Sequence, residues 1–202
     1  MGLEEVSEGE LISRALEDDY EAFEEIVVRH QDKAYRLAWG LVKNDAAAQD
    51  VVQDAFLNVY RKLHTFAGDA RLGTWIYRVV VNAALMRIRK EQRRRETGFS
   101  PEAPEPEEGA FAVPTSWRVQ ADVAAENQEL REQIVAAIDE LDPKYQTVFL
   151  LRELEGLSLK EIGEVLELSE GAVKTRLHRA RLFLQASLEP YLGRSESITD
   201  VE

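Results

Sequence analysis

Lys174, Arg176, Arg179 and Arg181 stand in the stretch GAVKTRLHRARLFLQASLEP, residues 171–190, which holds no acid between Glu170 and Glu189. The chain around it carries a formal net charge of −13. A helix that only had to stay soluble in such a chain would mix its signs, so the local inversion points to a surface facing a polyanion. Steps of four and three residues through Val173, Leu177, Ala180, Leu184 and Leu188 give the segment one apolar stripe. At about 100° per residue, Thr175 and His178 then point almost directly away from the core. Lys174, Arg179 and Arg181 spread around them, and Arg176 lies on a flank. Hydrogen-bonding groups inside a cationic face suit contact with base edges and phosphates together. The alternative is a solvated face whose cations favour the helix dipole.

The segment ahead of this face decides between the two. LSLKEIGEVLELSEGAVKTRLHRARLFL fits a helix-turn-helix: a short helix from Ser158 to about Leu166, a turn, and a second helix capped by Ser169. The second helix of such a unit enters the major groove of DNA. Glu167 occupies the turn position that usually holds Gly, and a left-handed conformation there would cost about 1 kcal/mol.

A second set of polar residues lies in the first half of the chain. Trp75, Arg78, Asn82 and Arg89 recur at steps of three, four and seven, which puts them on one helical face. Aromatic and arginine side chains can stack on unpaired bases, asparagine can read a base edge, and arginine can hold the backbone. The same helix ends in RIRKEQRRR, six cations against one glutamate, more charge than a helix end requires. Trp75 is equally well read as a core residue. In the preceding helix Asp50, Gln53, Asp54, Leu57 and Arg61 fall opposite the apolar stripe. Leu57 there is either an ordinary surface leucine or part of a protein interface.

The elements that must carry these faces are helical throughout. After Asp18-Asp19, a cap, the apolar positions Phe23, Ile26, Val27, Ala34, Leu37, Ala38 and Leu41 predict one long amphipathic helix. A second helix starts near Asp45, with a core stripe through Ala48, Val52, Ala55, Phe56, Val59 and Leu63. A third follows the loop Thr65–Gly73, with Thr74 as its N-cap. The valine triplet at 79–81 would suit a strand, but the apolar run continues into Ala83, Ala84, Leu85 and Met86, which favours helix. In the second half, breaks are expected at Asp142-Pro143 and at Gly156-Leu157.

Between the halves, ETGFSPEAPEPEEGAFAVPTS carries four of the six prolines, five glutamates and no basic residue. Such a composition buries too little apolar area to offset chain entropy. The expected architecture is therefore all-α: a helical domain over 1–95, a flexible acidic Pro-rich linker over 96–119, a helical domain over 120–192 containing the helix-turn-helix, and a disordered tail over 193–202.

Composition excludes several function classes. With no cysteine there is no disulfide, thiolate metal site or cysteine nucleophile. His30, His64 and His178 lie in separate segments, and neither a Gly-rich phosphate loop nor metal-ligand spacing occurs. The acids at Asp18, Asp19, Glu21, Glu24 and Glu25 fit the first turn of a helix by its dipole. No enzymatic activity and no cofactor are expected. The acidic N-terminus lacks the order of a signal peptide and no run approaches a membrane span, so a cytoplasmic chain without membrane insertion is expected.

Taken together, DVVQDAFLNVYRKLHTF, GTWIYRVVVNAALMRIRK and LDPKYQTVFLLRELEGLSLKEIGEVLELSEGAVKTRLHRARLFL closely resemble the extracytoplasmic-function sigma factors of bacteria. With the helix over about 19–43, the resemblance spans most of 10–95 and 126–188. It implies a dissociable subunit that binds core RNA polymerase, directs it to a promoter and helps open the duplex. By position, Asp50, Gln53, Asp54, Leu57 and Tyr60 match the segment that docks on the polymerase clamp helices. Phe66, Ala67, Gly68, Asp69, Ala70 and Arg71 match the loop that captures a flipped base at the proximal promoter element, and Asn82 a base-reading position. Lys174, Thr175, Arg176, His178 and Arg179, with Arg181 beside them, match the helix that reads the distal element. The resemblance also implies an inhibitory anti-sigma partner.

Overall fold

Helix-starting residues set the boundaries of the first unit. The computed structural model describes residues 3–96 and 128–195; the linker expected over 96–119 lies outside the described residues except for Glu96, and the tail expected over 193–202 lies outside them from 196 on. After a 3-10 turn at Leu3–Glu5, α1 spans Glu8–Leu16, α2 Tyr20–Val42, α3 Asp45–Lys62 and α4 Leu72–Glu96. Each of the first three begins where a side-chain oxygen accepts an otherwise unpaired backbone N–H. Ser7 accepts from Glu10 N at 3.2 Å, Asp19 from Ala22 N at 3.1 Å, and Asn44 from Ala47 N at 2.8 Å. Asp19 is also gripped by Arg14 Nη2 at 2.6 Å, and that partner holds its carboxyl below the usual range. Its neighbour Asp18 supplies the left-handed turn between α1 and α2, at φ 64°.

α2, α3 and α4 pack on one another, and α1 lies on α2. Leu11, Ile26, Leu37, Val59, Leu72, Ile76, Val80 and Val81 are fully buried at the centre. Burying a side chain of this size contributes about 1.5–3 kcal/mol. The valine run is helix, as its continuation into Ala84 requires.

Two expectations need correction. α4 starts at Leu72, where Trp75 N donates to Arg71 O at 3.1 Å, so Thr74 is a buried residue inside the helix and not its cap. In α3 the core stripe runs through Val51, which is buried, while Val52 is only half-buried. One residue is about 100° of helix, enough to turn Val52 from the core to its edge.

The second half of the chain forms α5 (Gln128–Asp139), α6 (Pro143–Glu153), α7 (Leu159–Leu166) and α8 (Glu170–Ser195), with α5 and α6 packed on α8. Pro143 opens α6, where its missing N–H costs nothing, and Asp142 caps it. Gly156, at φ 68°, makes the turn toward α7. Leu141, Val148, Leu151, Ile162, Val173 and Ala180 are among its buried residues. α8 runs through Pro190 to Ser195, three residues past the expected boundary at 192. The chain divides into two compact units, with the division passing through α7 after Ile162, and no strand occurs among the described residues.

Candidate nucleic-acid interface

The helix-turn-helix is set by three local devices. Ser158 and Glu161 form a reciprocal capping box: Glu161 N donates to Ser158 Oγ at 3.2 Å, and Ser158 N donates to the Glu161 carboxylate at 2.8 Å. Glu167 takes the left-handed conformation, φ 55°, as its place in the turn demands. Leu168 N then donates to Gly163 O at 2.9 Å, and the turn passes so close over α7 that a Cβ on Gly163 would lie 2.7 Å from Leu168 O. Glu167→Gly is therefore expected to stabilise the protein by about 1 kcal/mol, read as a raised midpoint in urea with an unchanged slope.

α8 begins with Ala172 N donating to Ser169 Oγ at 3.3 Å. Val173, Leu177, Ala180 and Leu184 are buried on one side, and Lys174, Thr175, His178, Arg179 and Arg181 are exposed on the other. Arg176 is half-buried on the flank. Thr175 Oγ1 donates back to Gly171 O at 2.9 Å, leaving its lone pairs as acceptors. Two of the cations are held from α6: Arg179 Nη1 donates to the Tyr145 hydroxyl at 3.0 Å, and Arg181 Nη2 to the Glu153 carboxylate at 2.7 Å. The Arg179 bond also holds the Tyr145 phenol below its usual range. Spacing along α8 gives no sign of either partner.

In the first unit, the loop before α4 and the face of α4 meet through Phe66 and Trp75, whose ring centroids are 5.4 Å apart. Both rings are half-buried, so Trp75 supports the loop while keeping part of its surface open. Gly68, at φ 77°, lets the loop turn, and Ala67, Asp69 and Arg71 are exposed while Ala70 is half-buried. Further along α4, Arg78 is half-buried and Asn82 and Arg89 are exposed. Asn82, Arg87, Lys90, Arg93 and Arg94 line an open groove of about 710 Å³ between α4 and α3, with Asp54 on its far wall. Lys62, Arg87, Lys90, Arg93 and Arg94 outnumber Asp54 and Glu91 along its lining, and that excess of cations suits a nucleic-acid backbone.

α3 has two different exposed sides. Gln53, Leu57 and Tyr60 face α2 and line an apolar groove of about 680 Å³ with Tyr20, Phe23 and Val52. Tyr60 meets Phe23 edge-on at 4.9 Å and stacks with Tyr20 at 6.3 Å. At the rim Tyr35 donates to Asp45, which pushes its phenol up to about 12 and ties α2 to the start of α3. Asp54 lies on the opposite side, and Asp50 accepts from Arg87 Nη1 of α4 at 3.0 Å. The five residues matched to one docking segment thus divide three to two.

The sequence had one signal for this groove: Phe23, Val27 and Val52 make the apolar arcs of α2 and α3 wider than mutual packing needs. No group of His, Asp and Glu suited to a metal occurs among the described residues. His30 is half-buried beside Glu8, and burial pulls its imidazole below the usual value.

Comparison with known proteins reaches the same segments. The Sigma-70 region 2 family matches residues 26–94, and the Sigma-70, region 4 family matches residues 131–184. The ECF RNA polymerase sigma factor SigW of Bacillus subtilis is 33% identical over 88% of this chain and 94% of its own. The ECF RNA polymerase sigma-E factor of Escherichia coli is 31% identical over 95% of this chain and 99% of its own. Among solved structures, the sigma factor RpoE in complex with the anti-sigma factor NepR from Bartonella quintana superposes with a TM-score of 0.63 at 19% identity, covering 83% of this chain and 96% of that one. CnrH in complex with the cytosolic domain of CnrY gives 0.61 at 24%, covering 89% and 96%.

Proposed function

Because the chain belongs to the extracytoplasmic-function sigma factors of RNA polymerase, we propose that its two helical units grip one promoter at two elements while the first of them docks on core polymerase. The observation that carries this reading is the cationic outer face of α8, Lys174 to Arg181, in a chain of net charge −13.

In this reading α8 reads the distal element. Thr175 and His178 sit where base edges lie and the cations sit toward phosphates. The loop 66–71 with Trp75, Arg78, Asn82 and Arg89 takes the proximal element. Flipping a base there costs a few kcal/mol, which stacking and hydrogen bonds in a pocket offset, so opening needs no catalytic chemistry from this subunit. The groove between α2 and α3, with Gln53, Leu57 and Tyr60, is the polymerase-facing surface. Asp50 acts by holding Arg87, and Asp54 faces the α4 side.

The acidic segment 96–119 serves as a tether between domains over 1–95 and 120–192: engagement at one element raises the effective concentration of the other domain at its own. Net acidity keeps the free chain off nonspecific DNA, so binding becomes productive when polymerase adds contacts. An anti-sigma partner is supported by the two solved complexes, in which proteins of this fold are held by NepR and by the cytosolic domain of CnrY. Such a partner would cover the same faces. The working compartment is the cytoplasm, where the template is; no described helix is long and apolar enough to cross a membrane. The experiment is run-off transcription: adding the chain to core polymerase should produce transcripts from a defined promoter class, and no gain in selectivity would refute the reading.

A further inference from the structure

α6 treats two arginines of α8 in different ways. Arg181 meets Glu153, a carboxylate. Arg179 meets the hydroxyl of Tyr145, 34 positions earlier in the chain, and that partner is a phenol. A phenol accepts a hydrogen bond while leaving the cation its full charge, and it engages one of five N–H donors, so four remain for a ligand. An arginine at an exposed helix position otherwise samples many rotamers, and a bidentate contact forms only when its plane is fixed.

Tyr145 is itself well fixed. It is the third residue of α6, directly after Pro143 and Lys144, at a start capped by Asp142. Lys144 Nζ stands 4.8 Å from the centre of its ring, and Asp142 in turn accepts from Lys144 Nζ at 2.9 Å. The acceptor for Arg179 therefore sits on a short, tied segment and not on a free side chain.

We propose that Tyr145 is a positioning residue that sets the guanidinium of Arg179 for base-edge contact, and so determines specificity at the distal element without touching a base. This rests on the reading of α8 as the distal-element helix. The Arg181–Glu153 pair is exposed and screened by water, so Arg181 still adds to the cationic face, while Arg179 is the fork held by a neutral partner.

The test uses holoenzyme assembled from the full chain and core polymerase, with promoter binding measured across variants of the distal element. Tyr145→Phe keeps the ring and removes the hydroxyl. It should weaken binding to the preferred element about 3- to 10-fold, leave binding to a scrambled element unchanged, and relax preference at the base pair that Arg179→Ala relaxes. In the Arg179→Ala background it should cost nothing further, because the partner is gone. Its thermal midpoint should match the parent, which a role in folding alone would not allow. Equal losses on every promoter, or a full additional loss in the Arg179→Ala background, would overturn the proposal. If Arg179→Ala alone alters the preference while Tyr145→Phe is silent, only the positioning role falls. If Arg179→Ala leaves the preference intact, the assignment of Arg179 falls and takes this proposal with it.

Discussion

Leu57→Asp is expected to abolish co-purification with core polymerase, a loss of about 100-fold or more in affinity. Leu57 is 48% exposed on α3, at the wall of the apolar groove shared with Tyr20, Phe23 and Tyr60. An aspartate there stays hydrated in the free chain, so folding is hardly affected. On docking, the carboxylate would lose its water against apolar surface without a partner. Asp50→Ala, which removes only the exposed bond to Arg87, serves as the contrast and should cost little. Size-exclusion chromatography of chain and core polymerase reads both. Unaltered co-elution of Leu57→Asp would remove the α2/α3 groove from the interface.

The second large effect concerns the other unit. Arg179→Ala should weaken recognition of the distal element by about 1–3 kcal/mol, roughly 5- to 150-fold, and relax the preference at one base pair. Polymerase association should be unchanged, since α8 lies in the other compact unit from Leu57. Lys174 differs from Arg179 in kind: a lysine on a phosphate weakens all sequences about equally. Binding across a promoter series separates the two behaviours. An unchanged preference after Arg179→Ala would refute its assignment.

Much of this molecule is legible in its sequence where the cause is local. Asp19, Ser169 and the Asp142-Pro143 pair mark helix starts because capping needs only neighbours along the chain. The α8 stripe through Val173, Leu177, Ala180 and Leu184 follows from the helical period, and so does the outward aim of Thr175 and His178. Glu167 in the left-handed region follows from its place in the turn.

Local rules also misled. Thr74 has the chemistry of a cap, but Leu72 and Thr74 are both buried, and tertiary packing starts α4 earlier than the capping preference suggests. Val51 displaced Val52 from the core because a one-residue phase choice cannot be settled from apolar content alone. What the sequence could not supply is pairing at a distance: Tyr145 with Arg179, Glu153 with Arg181, Asp50 with Arg87, Phe66 with Trp75. Each joins elements whose approach is decided by the fold, and each changes what a matched site residue is able to do.

The central claim is joint action by two cationic faces on separate units of an acidic chain. Run-off transcription on a promoter library tests it most directly, comparing core polymerase alone, core with this chain, and core with a variant in which Arg78, Arg89, Lys174 and Arg179 are all replaced by alanine. The account predicts transcripts from one two-element promoter class with the parent chain, and none above the level of core alone with the variant. Equal promoter selectivity from the variant would contradict it.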